Sequence, residues 1–314
     1  MKKTRILITG IAGFVGIHLA SSLLGAGQEI FGIDMSHLRP PLEYHKDVTV
    51  SVGNICDKEF IKRVLSEVKP DVIYHLAGVL KSDQLKDFYD THVWGTLVLL
   101  DTVKEAGLKP KILVVSSSAV YGEGYRKREI TEKFKYRPQT PYAMSKVIQE
   151  MIAHYYYSVF NYPIFFARTF NLIGPGQPNN LACSGFAYQI AKAEKLQNNL
   201  IRVGNLLAFR DFVDVRDVVH AYRLIVNHGK PGEFYNVCSG KATSIEICLE
   251  TLIKLSQMPI KVEWDPEKEQ KNDVSYQVGN PGKIIRHTRW KAELPIERSL
   301  MDLLNYWRQN ISLT

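Results

Sequence analysis

Three glycines at a fixed spacing follow the first apolar run of the chain, and they constrain its fold more than any other feature. The run RILITG (5–10) is typical of a buried strand, and FVGIHLASSLLGAG after it is typical of a helix. Gly10, Gly13 and Gly16 lie at the junction, in the pattern G-x-x-G-x-x-G. Such a turn brings the backbone close to a pyrophosphate and aims helix N-terminal amides at it. The junction therefore predicts a dinucleotide-binding strand, turn and helix.

An acidic residue closes the second predicted strand. Asp34 lies in FGIDMS, about 20 residues after the glycines, where a carboxylate can accept hydrogen bonds from both hydroxyls of an adenosine ribose. Since a carboxylate repels a 2′-phosphate, Asp34 favours NAD(H) over NADP(H). His37 and Arg39 follow closely. A cation at this place would soften the preference, so NADP(H) stays possible.

Short apolar strands alternate with helices through the first half of the chain. Continuous β-branched runs between helices indicate a parallel sheet that is covered on both faces. The sequence therefore predicts an α/β fold with a doubly wound Rossmann sheet over residues 1–170. The later strands are expected at EIFGIDMS (29–36), DVIYHLAG (71–78), KILVVSSS (111–118) and PIFFARTFN (163–171), and the helices near 58–69 and over THVWGTLVLLDTVKEAG.

The alternation weakens after residue 171, where loops such as IGPGQPNN and DPEKEQKND separate shorter elements. This change predicts a smaller α/β C-terminal domain over residues 171–314 that binds the substrate. Segments near 210–235 are expected to return to the first domain. The active site would then lie in the cleft between the two domains.

Composition and charge argue against several classes of protein. No apolar run reaches the roughly 18 residues of a membrane span, and the apolar part of MKKTRILITG is too short for a signal peptide, so the expected location is cytoplasmic. The net charge of +8 is dispersed without a basic–aromatic stripe, so no nucleic acid partner is expected. The basic surface suits an enzyme with a phosphorylated substrate. The four cysteines form no C-x-x-C pair, which indicates neither a disulfide framework nor a metal site.

The stretch TPYAMSK (140–146) sets Tyr142 four residues before Lys146, so a helix would carry both side chains on one face. A free tyrosine titrates near about 10, and a neighbouring cation lowers that pKa. The two residues could therefore form a tuned acid/base pair. The spacing alone is common, however, and fits a solvated helix equally well.

Several motifs in a fixed order decide between these readings. TGIAGFVG, Asp34, HLAG (75–78), VSSSAVYG (115–122) and the Tyr142–Lys146 pair together resemble the extended short-chain dehydrogenase/reductases, the NAD-dependent epimerase/dehydratase family that acts on nucleotide sugars. The resemblance covers nearly the whole chain. It continues through RTFNLIGPGQ (168–177), RDFVDVRDVVHAY (210–222) and YNVCSGKATSI (235–245).

The resemblance implies three catalytic residues and no metal. Tyr142 would be the acid/base, Lys146 its partner and a ligand of the nicotinamide ribose, and Ser117 a hydrogen-bond partner of the reacting sugar oxygen. Lys146 and the nicotinamide charge are expected to lower the pKa of Tyr142, so that its proton can move to and from that oxygen. The positions implied to line the cofactor are Gly10, Gly13, Phe14, Val15, Gly16, Asp34, Asn54, Ile55, Leu76, Ala77, Gly78, Val115, Tyr142, Lys146 and Phe170.

Further positions are implied to bind a nucleotide-diphosphate sugar, together with Ser117. Asn171 matches a residue that contacts the diphosphate, and Arg210 matches an arginine that binds the same phosphates, a task that suits a guanidinium. Lys192 and Asp273 match positions near the nucleotide or the sugar, but each fits a surface charge equally well. The resemblance also implies a homodimer formed through two helices per subunit, including the one that carries Tyr142.

The reaction depends on residues around this set. Dehydratases of the family need an acid and a base directly after the catalytic serine or threonine, and Ser118 and Ala119 cannot act as such a pair. The C-terminal half is similar to the reductases of GDP-4-keto-6-deoxy-D-mannose, which implies hydride transfer to C4 with Tyr142 as the proton donor and a GDP-linked substrate. The alternatives are a UDP-galactose 4-epimerase-like enzyme with tightly bound NAD and a non-catalytic NAD-binding scaffold, although such scaffolds typically lose the Tyr or the Lys.

Three departures from the family leave the substrate open. His92 stands where an Asn is usual. It could replace that side chain's hydrogen bond, titrate near pH 6.5 or be an ordinary buried histidine. Gln270 and Lys271 replace an Arg-Pro pair that helps to bind the diphosphate. Asn54 replaces an Asp that commonly accepts from the adenine amino group, which is a mild change because an amide oxygen also accepts.

Overall fold

Strands and helices alternate along the chain in the computed structural model, which describes residues 3–25, 27–37, 47–124, 128–268 and 274–311. The strands are β1 (Thr4–Thr9), β2 (Gln28–Asp34), β3 (Val48–Val52), β4 (Val72–His75), β5 (Lys111–Ser117), β6 (Ile164–Thr169), β7 (Asn171–Ile173), β8 (Leu200–Val203), β9 (Phe209–Arg210), β10 (Phe212–Asp214), β11 (Phe234–Val237), β12 (Thr243–Ser244), β13 (Lys261–Trp264) and β14 (Tyr276–Gln277). The helices are α1 (Phe14–Leu23), α2 (Lys58–Val68), α3 (Leu85–Phe88), α4 (Gly95–Glu105), α5 (Pro141–Phe160), α6 (Ala182–Leu196), α7 (Val215–His228), α8 (Ile245–Lys254), α9 (Gly282–Thr288) and α10 (Ile296–Asn310).

Seven parallel strands form the central sheet, in the order β11-β6-β5-β4-β1-β2-β3. The chain starts in the middle, at β1, and winds outward in both directions, so the predicted doubly wound parallel sheet is confirmed. The sequence did not predict β3. This short edge strand is only partly buried, with no fully buried position, so it lacks the continuous apolar run of a central strand.

Hydrophobic clusters cover both faces of this sheet. One cluster packs α1 and α7 against it and includes Tyr222 and Trp290. The other lies under α2, α4 and α5 and includes Leu99 and Phe166. Because α7 packs on the sheet and β11 pairs with β6, the segment from Val215 to Val237 is built into this layer.

A third hydrophobic cluster lies in the C-terminal half, where α6, α8 and α10 pack together. Small sheets border it: β8 pairs with β13, β7 with β10, and β9 lies between β12 and β14. This smaller α/β part agrees with the predicted fold class. In the ranges that the structure describes, no helix is both long and apolar enough to cross a bilayer.

Candidate active site

The glycine turn after β1 has a conformation that only glycine tolerates. Gly10 has a φ of +76°, and its N–H donates to the carbonyl of Ile33 at 2.8 Å. A Cβ on Gly10 would lie 2.9 Å from the backbone nitrogen of Ala77, and one on Gly16 would lie 2.2 Å from the carbonyl oxygen of Gly10. The backbone can therefore approach a ligand here with no side chain in between.

The helix that follows this turn leaves its N-terminus open to an anion. Helix α1 starts at Phe14 after Gly13. In the described part of the chain no side chain caps it, and its first turn, which includes Val15, carries no acidic residue. Free N–H groups and the helix dipole favour negative charge at such an end. The residues present thus fit the pyrophosphate of a dinucleotide cofactor.

Asp34 is tied to the glycine turn at the carboxyl end of β2. Its Oδ2 accepts the N–H of Ala12 at 2.9 Å, and its Oδ1 accepts the N–H of Ser36 at 3.2 Å. These bonds fix the carboxylate beside the open helix end, at the position expected for an adenosine ribose. Arg39, the cation that could soften its effect, lies outside the described residues.

Further residues expected at the cofactor follow the strand ends. Asn54 is exposed, and its Oδ1 accepts the N–H of Cys56 at 2.9 Å, while Ile55 beside it is buried. Leu76, Ala77 and Gly78 come directly after β4, and Val115 lies near the end of β5.

Phe170 differs from the other expected cofactor residues because its side chain is almost fully buried. It packs near Tyr121 and Cys238, inside a small hydrophobic cluster. A Cβ on Gly279 would lie 2.6 Å from its ring. The environment of the ring is that of a core residue.

The structure brings Ser117, Tyr142 and Lys146 together at the carboxyl edge of the sheet. Ser117 ends β5. Tyr142 and Lys146 lie in the first turns of α5, which begins after Thr140, whose hydroxyl accepts the N–H of Ala143 at 3.1 Å. The Ser117 hydroxyl lies close enough to the Tyr142 phenol to lower its pKa, against the effect of burial.

The ammonium of Lys146 is buried and held at two points. Its Nζ donates to the carbonyl of Val115 at 3.0 Å and to Oε1 of Gln149 at 2.9 Å. An ammonium has three donors, and the third finds no acceptor among the residues described. Burial lowers the pKa of Lys146 to about 7, although the charge of Glu150 works in the opposite direction.

The expected lowering of the Tyr142 pKa is not seen in the protein by itself. Burial raises the pKa of Tyr142 above its usual value, and the nearby Ser117 hydroxyl only partly opposes this rise. The ammonium of Lys146 is directed to Val115 and Gln149 rather than to the phenol. The expectation also includes the charge of the nicotinamide, so the lowering stays a prediction for the site with its cofactor.

His92 lies on a π-helical turn (Tyr89–Trp94) before α4 and braces the site. Its Nε2 accepts the N–H of Val79 at 3.0 Å, and its Nδ1 contacts Ser145 Oγ at 2.8 Å. Ser145 gives its own hydrogen to the Tyr142 carbonyl at 2.8 Å, so the histidine is neutral with its proton on Nδ1. Burial lowers the pKa of His92 to about 2, which excludes titration near pH 6.5. Of the three possibilities, the structure favours a replaced hydrogen bond to backbone.

Two of the residues expected at the substrate are neighbours. The backbone N–H of Asn171, on β7, donates to the carbonyl of Asp211 at 3.0 Å, and Asp211 directly follows Arg210 of β9. The Nη1 of Arg210 donates to the carbonyl of Phe209 at 3.0 Å. Lys192 is exposed on α6. Asp273, Gln270 and Lys271 lie outside the described residues.

The positions after Ser117 supply neither an acid nor a base. Ser118 is nearly fully buried, and its hydroxyl donates to Oε1 of Gln277 at 2.7 Å. The Nε2 of Gln277 donates in turn to the carbonyls of Ser118 and Gly122, at 3.0 and 2.9 Å. Ala119 has no polar group. In the described ranges, no cluster of three or more His, Cys, Asp or Glu side chains could hold a metal ion.

The polar residues behind Lys146 were not predicted from the sequence. Gln149, Thr96 and His75 are fully buried and joined to one another by hydrogen bonds. Gln149 lies three residues after Lys146, a spacing that puts both on one helix face. This was the only signal in the sequence, since His75 and Thr96 come from other elements.

Comparison with known proteins gives consistent matches over nearly the full length. The family model for GDP-mannose 4,6 dehydratase matches residues 7–303. The GDP-6-deoxy-D-mannose reductase of Pseudomonas aeruginosa is 31% identical over 98% of both chains. UDP-glucose 4-epimerase 4 of Oryza sativa subsp. japonica is 28% identical, over 97% of this chain and 90% of its own. The structure of RMD from Pseudomonas aeruginosa with NADPH superposes with a TM-score of 0.85 at 28% identity, covering 98% of this chain and all of the other.

Proposed function

The chain belongs to the GDP-mannose 4,6 dehydratase family, within the short-chain dehydrogenase/reductases that modify nucleotide sugars, and from this premise we propose that it is a 4-ketoreductase. It would convert GDP-4-keto-6-deoxy-D-mannose to GDP-6-deoxy-D-mannose with NADH or NADPH. The similarity to the Pseudomonas reductase along both chains supports this substrate. The observation that carries the proposal is the site itself, with Ser117, Tyr142 and Lys146 together and no acid or base at Ser118 and Ala119.

The three residues divide the work of the reduction. A nicotinamide cofactor held at this site would supply the hydride for C4 of the keto sugar. Tyr142 gives its phenolic proton to the C4 oxygen as negative charge develops there, and Ser117 donates a hydrogen bond to the same oxygen. Lys146 turns its remaining N–H to the nicotinamide ribose and places a positive charge beside the site.

Although the family model is that of a dehydratase, we do not propose dehydratase activity for this chain. Eliminating water from a sugar ring requires an acid and a base besides the tyrosine. The hydroxyl of Ser118 donates its hydrogen bond to Gln277, and Ala119 has no group that exchanges protons. A reductase needs only Ser117, Tyr142 and Lys146, so the residues present are sufficient for reduction.

A 4-epimerase is the second candidate, and the similarity to the rice UDP-glucose 4-epimerase supports it. Such an enzyme uses the same three residues but keeps its NAD and turns over without added cofactor. Purified protein that contains stoichiometric NAD would favour the epimerase. A scaffold without activity is disfavoured, because a protein of that kind has no need of the Tyr142–Lys146 pair.

The cofactor preference rests on Asp34. Its carboxylate is fixed beside the glycine turn and would repel a 2′-phosphate, which favours NADH. The similar RMD structure contains NADPH, so the opposite preference must be tested. Titrating both reduced cofactors against the protein by fluorescence gives the two dissociation constants, and an NADPH constant below that of NADH would contradict the role given to Asp34.

The diphosphate of the substrate would be held near Asn171 and Arg210, which adjacent backbone segments bring together. Lys192, Asp273 and Ser117 complete the proposed substrate-binding set. The charge and planar fork of a guanidinium match a phosphate, so Arg210 would contribute most. Arg210→Met is expected to raise KM for the nucleotide sugar more than it lowers kcat.

A homodimer through α4 and α5 fits the surface of these helices. Met151 and Tyr155 on α5 are 62% and 52% exposed, and they line one groove with Leu97 of α4 and with Ile148. Contiguous apolar surface of this kind favours association. Sedimentation equilibrium of the protein and of Tyr155→Lys tests this, since a dimer formed through this face dissociates when charges are placed on it.

The test of the main proposal follows NADH or NADPH absorbance while the protein is mixed with GDP-4-keto-6-deoxy-D-mannose. Oxidation that Tyr142→Phe abolishes, while cofactor binding remains, would support the reductase. If neither cofactor is oxidised, GDP-4-keto-6-deoxy-D-mannose is ruled out as the substrate. The experiment would then be repeated with UDP-galactose, where conversion to UDP-glucose without added cofactor identifies an epimerase.

A further inference from the structure

A buried glutamine holds the ammonium group of Lys146. Gln149 lies three residues later on α5 and has no exposed surface. Its Oε1 accepts a hydrogen bond from Nζ of Lys146 at 2.9 Å, and its Nε2 donates to Oγ1 of Thr96 on α4 at 2.9 Å. Both ends of this amide are therefore fixed by neighbours rather than by solvent.

The neighbours of Thr96 set the direction of each bond. Thr96 gives its only hydroxyl hydrogen to the carbonyl of His92 at 2.6 Å. Its oxygen must then accept from Gln149 and also from Nε2 of His75, which lies 2.8 Å away. His75 thus carries its proton on Nε2, and its Nδ1 accepts the hydroxyl of Thr9 at 2.7 Å.

This order of donors leaves Gln149 a single orientation. A flipped amide would place its NH₂ group against the Lys146 ammonium and its oxygen against the lone pairs of Thr96. At the other end of the network, Oγ1 of Thr9 accepts the N–H of Ala77 at 3.1 Å. The network therefore joins the lysine to the loop that is proposed to line the cofactor.

We propose that Gln149 is a positioning residue for Lys146. Together with the Val115 carbonyl, it occupies two of the three ammonium donors and so leaves one N–H for the cofactor ribose. Thr96 and His75 act through Gln149 by fixing its amide. This inference rests on the proposed function, because it assumes that Lys146 contacts a nicotinamide cofactor.

The charges around Lys146 make the neutrality of Gln149 important. Glu150 on α5 faces the lysine but is paired with Arg168 at 2.7 Å. His75, His92 and the phenol of Tyr142 also lie near the ammonium, and burial holds each of them neutral.

Burial therefore governs the charge of this lysine and lowers its pKa to about 7. An uncharged acceptor at position 149 orients the ammonium without raising the pKa of Lys146, which burial has lowered. A carboxylate at the same position would favour the charged form and cancel part of the effect.

A purely structural role for Gln149 predicts a different set of results. Every substitution of a buried, hydrogen-bonded glutamine should lower stability. Only a positioning role links the kind of substitution to the titration of Lys146. Gln149→Glu should raise its pKa by adding a negative charge, whereas Gln149→Met should lower it by removing an acceptor.

The experiment measures the dissociation constant of NADH by fluorescence, from about pH 6 to about pH 9.5, and also records thermal unfolding. Affinity should fall as the pH rises through the pKa of Lys146, because the neutral amine loses its charge-assisted bond. The midpoint of this fall is expected to move up by about one pH unit in Gln149→Glu and down in Gln149→Met, with affinity roughly tenfold weaker in the latter. Gln189→Glu, on α6 and outside the network, is the matched control and should keep the original midpoint.

Thr96→Ala provides a second route if a variant at position 149 does not fold. It frees the Gln149 amide without touching Lys146, so its midpoint should move in the same direction as in Gln149→Met, by a smaller amount. Midpoints that stay fixed in all variants, with only lower unfolding temperatures, would overturn the inference and leave the proposed function intact. Absence of NADH and NADPH binding to the unsubstituted protein at every pH would overturn both.

Discussion

Acidification is expected to destabilise this protein because two histidines are buried in their neutral forms. His92 accepts the N–H of Val79, so a proton on Nε2 would meet another donor. His75 accepts the hydroxyl of Thr9 at Nδ1 and is equally unable to take a second proton without losing a bond. Burial lowers the pKa of His75 to about 3 and that of His92 to about 2.

The sign and size of the effect follow from linkage. Both pKa values lie below the value of about 6.5 for an unfolded histidine, so the unfolded state binds protons first and stability falls as the pH drops below 6.5. At pH 5 each histidine costs about 2 kcal/mol, or about 4 kcal/mol for the two. Asp211 acts in the opposite direction. Burial raises the pKa of Asp211 to about 6, so its protonation offsets about 1 kcal/mol of this loss by pH 5.

Urea unfolding at about pH 7.5 and at about pH 5 measures this loss. In His92→Asn one of the two histidines is gone while Asp211 is unchanged, so the loss between the two pH values should shrink by about 2 kcal/mol. His220→Gln, an exposed histidine on α7, is the matched control. An equal acid-induced loss in His92→Asn and in the unsubstituted protein would refute the view that His92 is held neutral.

Three further predictions concern single residues. Gly10→Ala should abolish NADH binding in a pull-down or fluorescence titration, because its φ of +76° and the nearby Ala77 nitrogen leave no place for a Cβ; normal binding would contradict the tight turn. Asp34→Ala should weaken NADH binding roughly tenfold because the ribose hydroxyls lose their acceptor. It should tighten NADPH binding by roughly tenfold because the charge that repels a 2′-phosphate is removed, and the two dissociation constants check both effects. Ser118→Ala should leave ketoreductase turnover unchanged but lower the free energy of unfolding by about 1–3 kcal/mol, since it leaves Oε1 of Gln277 without its donor; a large loss of kcat would point to a chemical role.

The central strands could be predicted from the sequence because their runs are apolar throughout. β5 and β6 are buried on both faces and coincide with KILVVSSS and PIFFARTFN. The half-exposed edge strand β3 carries no such run, and the π-helical turn at Tyr89–Trp94 lies in a pattern that reads as ordinary helix. Neither feature depends on local sequence alone, since one is fixed by pairing with β2 and the other packs against α5.

The candidate site also contains some residues that could be predicted from the sequence and others that could not. Ser117, Tyr142 and Lys146 stand in motifs that keep their spacing along the chain, so a resemblance could select them. The partners of Lys146 stand in no motif: Thr96 and His75 come from α4 and β4, and they meet Gln149 only when those elements pack together. Their hydrogen bonds are directional, and so one altered member would reorient the others. A change at a distance from the nicotinamide, such as Thr96→Ala, should therefore alter cofactor binding, whereas an equally buried change outside the network should alter stability alone.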